Sequence, residues 1–117
     1  MTQQEAKNSF HAVSQGMYRS GVGRDVKLHN KMAKKLRELH AKIPDEMRLM
    51  LYTELLRDPD EKTRLNAATC CLSDGVLTGQ AAAVLTQTAE RSENEQCRVT
   101  AAVALRAWRN GMIETDG

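Results

Sequence analysis

Two segments of this 117-residue chain repeat one another at an offset of 34 residues, and that offset restricts the fold more than any other feature. Arg64-Leu65-Asn66-Ala67-Ala68 returns as Arg98-Val99-Thr100-Ala101-Ala102. At the same spacing Leu51 meets Leu85, Cys71 meets Leu105, and the polar pairs Asp60-Glu61 and Asn94-Glu95 align. A period in the thirties with one helix pair per unit is the mark of an α-solenoid.

The first copy reads as a short helix held between others. Asp58 is placed to cap free backbone N–H groups, and Pro59 suits a first helical position, where no N–H is required. Asp60 and Glu61 then fall where the helix dipole favours negative charge. Leu65, Ala68, Cys71 and Leu72 share one face, and Ala67 and Ala68 are small enough to admit a neighbouring helix. Gly75 ends the element, as glycine does just past many helices.

An Arg-x-x-Ala-Ala segment after an Asp/Pro-rich turn resembles the second helix of a HEAT repeat. The resemblance is best over DPDEKTRLNAATCCL and extends over about residues 25–111. The whole chain looks like the short solitary HEAT-like proteins of bacteria. The resemblance implies an all-α, HEAT-like array of about six antiparallel helices, and a function of presenting a surface to a protein or nucleic acid. It carries over no catalytic residue. In such repeats the arginine is usually structural. Arg64 and Arg98 are therefore expected to pair with Asp60 and Asn94 a turn earlier, the alternative being contact with a partner.

Helical periodicity runs through the rest of the chain, with no convincing strand. Helix one is expected over residues 3–19, with Ala6, Phe10, Val13 and Met17 on one face, and Gly21-Val22-Gly23 breaks it. Helix two, over 25–42, places Leu28, Met32, Leu36, Leu39 and Ile43 on one stripe before Pro44 stops it. Helix three, over 45–57, carries Met47, Met50, Leu51 and Leu55, with Tyr52 at the margin. Thr78 should cap helix five, over 79–90, with Ala82, Leu85 and Ala89 inward and Val84 at the edge. Helix six, over 93–110, uses Val99, Ala102, Val103 and Leu105 inward, and Gly111 ends it. No linker divides residues 1–117, so a single domain is expected. Residues 1–57 supply the N-terminal helices and 58–111 the clearest repeat.

Aromatic residues make up 3% of the chain, so the core must come from Leu, Ala, Val and Met. No run approaches the about 18 apolar residues that a membrane span needs. MTQQEAKNSF lacks a basic start followed by an apolar run, so a cytoplasmic location is expected, with no membrane partner. Adjacent Cys70 and Cys71, with the odd Cys97, suit buried thiols in a reducing compartment.

The net charge of +2 is unevenly spread. Residues 19–48 hold nine Lys or Arg against four Asp or Glu, whereas residues 49–117 hold seven against ten. Lys27, Lys31, Lys34 and Lys42 lie along one flank of helix two. They could contact phosphates, but no aromatic is interleaved for base stacking, and a solvated face explains them. His29 and His40 share that helix about 16 Å apart, too far to bind one metal. No metal motif, cofactor motif or activated Cys–His pair is present, so no catalytic residue, cofactor or metal is expected.

The leading functional expectation is a non-enzymatic protein-binding module. Its sharpest form is an immunity protein or antitoxin that neutralises a basic toxin. The candidate contacts are Asp58, Asp60, Glu61, Glu93, Glu95 and Trp108, with Trp108 either a partner anchor or a plug for the end of the core. The alternative is nucleic-acid binding through helix two, with weak affinity or none expected.

Overall fold

The computed structural model describes residues 2–17 and 26–111, and for 26–29 the backbone only. Six helices and no strand occur among the described residues: α1 (Gln3–Met17), α2 (Val26–Lys42), α3 (Asp45–Leu55), α4 (Glu61–Asp74), α5 (Thr78–Arg91) and α6 (Glu95–Arg109). The expected end of helix one, the Gly21-Val22-Gly23 break, and the side chains of Lys27, Leu28 and His29 lie outside the described residues.

The centre of the fold is α4, which packs against α1, α3, α5 and α6. Its burial therefore goes almost all the way round. Thr63, Leu65, Asn66, Ala67, Ala68, Cys71 and Leu72 are each at most 1% exposed. A helix enclosed on several sides loses its polar stripe, and small residues are what allow that enclosure. The radius of gyration is 13.2 Å, close to the roughly 13–14 Å of a globular domain of this length. Four helices are thus gathered around α4 rather than extended as a rod.

The α1–α2 hairpin rests on α4 through α1. Ala6, Phe10 and Met17 are buried as the periodicity predicts, and Val13 packs partly buried beside them. Gly16 faces the Met32 side chain of α2. A Cβ there would lie 2.8 Å from the Met32 sulfur, so glycine leaves room for the crossing. Buried Ser14 folds its hydroxyl onto the Phe10 carbonyl at 2.7 Å and accepts from Asn66 of α4 at 2.9 Å. Phe10 meets Tyr52 of α3 edge-to-face, with ring centres 5.6 Å apart.

Several expectations need correction. In α3, Tyr52 is fully buried whereas Met50 is 59% exposed. In α5, Ala81, Leu85 and Thr88 form the buried line, and Ala82, Val84 and Ala89 are only partly buried beside it. Thr78 is the first residue of α5 and not its cap. Leu77 occupies the N-cap with φ 49° and makes no side-chain cap hydrogen bond. In α6, Cys97, Ala101 and Leu105 are buried, while Val99, Ala102 and Val103 face solvent. Leu105 is the one expected residue that lies inside.

Gly75 closes α4 as predicted, at φ 72°. The N–H of Gly75 reaches the Leu72 carbonyl at 3.3 Å, and that of Val76 reaches the Cys71 carbonyl at 3.0 Å. Three residues then suffice to return the chain into α5, and three more, Ser92 to Asn94, lead it into α6. Connections this short bring the starts of α4 and α6 to the same end of the molecule.

Candidate functional site

The two helix starts are built alike. At α4, Asp60 is the N-cap, its carboxylate accepting from the Thr63 amide at 2.9 Å and the Thr63 hydroxyl at 2.7 Å. The Asp60 amide in turn donates to Asp58 Oδ1 at 2.8 Å. At α6, Asn94 is the N-cap, accepting from the Cys97 amide at 3.0 Å, and its own amide donates to Ser92 Oγ at 3.1 Å. Each turn is closed by the arginine that follows. Arg64 Nη1 donates to the Asp58 carbonyl at 2.6 Å and the Pro59 carbonyl at 3.0 Å. Arg98 Nη1 donates to the Ser92 carbonyl at 3.1 Å.

Three of these hydrogen bonds recur at the offset of 34 residues, whereas those of the Thr63 hydroxyl with Asp60 and of Arg64 with the Pro59 carbonyl have no counterpart at α6. Neither arginine pairs with Asp60 or Asn94 in the way expected; both are spent on carbonyls of the preceding turn. Asp58 is not the cap of α4, and Pro59 lies before the helix. Asp60 wins the cap because its carboxylate reaches an orphan amide three residues on. The equivalence of Asp58 and Ser92, missed in the sequence, could have been found by aligning residue types able to accept from the amide two positions later.

This geometry sorts the six candidate contacts. Asp58 and Asp60 are committed to the turn. Burial raises the Asp60 carboxyl, but hydrogen bonds from Thr63 and Gln15, with His11 nearby, outweigh it and hold the group below the usual carboxylate range. Glu61, Glu93 and Glu95 make no hydrogen bond or ion pair among the described residues, and Glu93 and Glu95 are exposed. The starts of α4 and α6 are electrostatically close, since Glu61, Lys62 and Asp60 all act on the Cys97 thiol. Trp108 is not part of this end. It lies about 20 Å along α6 from Glu95 and packs, partly buried, against the core.

A second constellation escaped the sequence reading. His40 of α2 joins the Tyr52 hydroxyl through Nδ1, and its Nε2 lies 3.0 Å from Asp74 Oδ1 at the end of α4. Arg48 stands 3.7 Å from the other Asp74 oxygen and donates to the carbonyls of Ile43 at 3.0 Å and His40 at 3.2 Å. Three helices meet in this network, whose members lie 12 and 34 residues apart, so no local motif announces it. Burial, reinforced by Cys70, Cys71 and Asp74, pushes the Tyr52 phenol far up. Burial likewise pushes each of the three thiols up to about 12, which keeps them protonated and poor nucleophiles. With Tyr52 fully buried, the network ties three helices together.

Lys31, Lys34 and Lys42 are all exposed, along a flank of α2 beside buried Leu36 and Leu39. Among the described residues no group of three His, Cys, Asp or Glu is placed to hold a metal ion, and no helix is long and apolar enough to cross a membrane. No protein-family model, curated protein or solved structure matches this chain.

Proposed function

We propose that this chain is a protein-binding module, with α3–α4 and α5–α6 stacked as two HEAT-like helix pairs. It receives a basic partner at the starts of α4 and α6. The observation that carries the reading is the division of labour within the repeated turn. Asp58, Asp60, Arg64 and Arg98 make the turn rigid, while Glu61, Glu93 and Glu95 are left over. Carboxylates that the fold does not use, held on stiff backbone at one end, suit fast capture of a positively charged surface. An immunity protein or antitoxin that blocks a basic toxin in the cytoplasm is the sharpest form of this reading, and three reduced, buried thiols are compatible with it.

The test is affinity capture from the source organism with wild type, Glu61→Lys, and Glu93→Lys plus Glu95→Lys. Asp60 is left intact, because its reversal removes the α4 cap. A stoichiometric basic protein, weakened by both reversals, supports the reading. A partner bound equally by all three forms places the interface elsewhere. Duplex nucleic acid, held tightly at physiological salt and released by Lys31→Glu plus Lys34→Glu, favours the alternative through α2.

A further inference from the structure

The last helix has two apolar faces, and the fold uses one. Cys97, Ala101 and Leu105 are buried, with Ala104 and Trp108 packed against the core beside them. On the opposite side Val99 is 53% exposed and Val103 57%, with exposed Ala102 between them. Val99, Ala102, Val103 and Arg106 follow at i, i+3, i+4 and i+7, the spacing of a helix seam. No described residue covers Val99 or Val103, while Ala102 and Arg106 line an open groove with Thr86, Ala89 and Glu90 of α5. Valine is a poor choice for a merely solvated helix position, because its branched side chain loses rotamer freedom there. Ala102 leaves the middle of the stripe low enough for close approach.

The charges at the two ends of the stripe say what fits it. Exposed Glu95 lies one turn before Val99, and exposed Arg106 lies one turn after Ala102. The stripe is acidic at its start and basic at its end. A second copy running the other way complements it: Val99 meets Val103 of that copy, and Glu95 of each chain comes alongside Arg106 of the other. A parallel copy would set like charges against each other. We propose that the chain forms a two-fold dimer through the outer face of α6, by antiparallel packing of this Val99–Val103 seam between the Glu95 and Arg106 ends.

Such an interface is isologous and closes on itself. One helix pair buries less than the roughly 1,200 Å² of a standard stable interface, so the dimer is concentration-dependent. The proposal goes beyond the partner reading and is tested on the purified chain alone, although Glu95 serves in both.

Sedimentation equilibrium from micromolar to millimolar chain is the test. The weight-average mass is expected to rise from 13.0 kDa to twice that value and stop. Val99→Lys plus Val103→Lys should remain monomeric throughout, with the helical circular dichroism and melting of the dilute wild type. Glu95→Arg alone and Arg106→Glu alone should each weaken the dimer several-fold, and the double exchange should restore it. Restoration separates the seam from any effect of either charge on its own helix end. A monomer at the highest concentration overturns the proposal, and so does a dimer that survives the valine changes. Mass growing past the dimer overturns it too, since a two-fold contact closes on itself and cannot extend further.

Discussion

Adjacent alanines in α6 give the sharpest test of how that helix sits. Ala101 is fully buried, and Ala102, about 100° further round, is exposed. Leucine at Ala101 adds three carbon atoms where no space is left, and overpacking of that kind costs about 1–3 kcal/mol. For a domain of this length about 4 °C is lost per kcal/mol, so the melting temperature should fall by about 4–12 °C. Leucine at Ala102 meets solvent, has nearly the helix propensity of alanine, and should change stability by less than about 0.5 kcal/mol. Ala68→Leu in α4 is the buried control and should behave like Ala101→Leu. The assay is thermal and urea unfolding followed by circular dichroism at low micromolar chain, where self-association contributes nothing. If Ala102→Leu costs as much as Ala101→Leu, α6 is turned so that Val99 and Val103 face the core, and the orientation described here is wrong.

Three further outcomes follow from the site. Arg98→Ala should cost about 1 kcal/mol in urea unfolding, and Arg98→Lys should recover little of it, because a point charge does not reproduce the guanidinium geometry at the Ser92 carbonyl. The Asp60 carboxyl is held below its ordinary value, so its contribution is present above the unfolded carboxylate range near pH 4 and is lost as pH falls through the lower folded value. Asp60→Asn should therefore flatten the acid limb of stability against pH, while an unchanged limb contradicts the cap. The three buried thiols should react slowly with an aromatic disulfide reagent at pH 8 in the folded protein and fully once it is denatured; rapid native labelling of any of them contradicts its burial.

Much of the architecture was legible because its signals were local. The stripe of Leu36, Leu39 and Ile43 and the line of Ala6, Phe10 and Met17 are buried as spacing requires. Pro44 and Gly75 end their helices for reasons that need only neighbouring atoms. The face of α6 was misread for a physical reason. Val99 and Val103 outrank Cys97, Ala101 and Ala104 in hydrophobicity, but close packing on a crowded neighbour selects small side chains. Periodicity measures the first property and not the second. The network of His40, Tyr52, Asp74 and Arg48 was invisible because its members come from three helices and acquire meaning only when those helices meet. The helix starts were half legible: acidic residues marked them, but which carboxylates cap and which stay unspent depends on reach, which only coordinates supply.

In the proposed function Glu61, Glu93 and Glu95 are the charges that draw in a basic protein. The measurement that tests this most directly is the association rate with the captured partner as a function of ionic strength. Screening shortens to about 8 Å at physiological salt, so association through these carboxylates should slow steeply as salt is raised. Glu61→Lys and the Glu93→Lys, Glu95→Lys pair should each slow association and leave dissociation nearly unchanged. An association rate that is flat with salt, or the same for wild type and both reversals, contradicts the account.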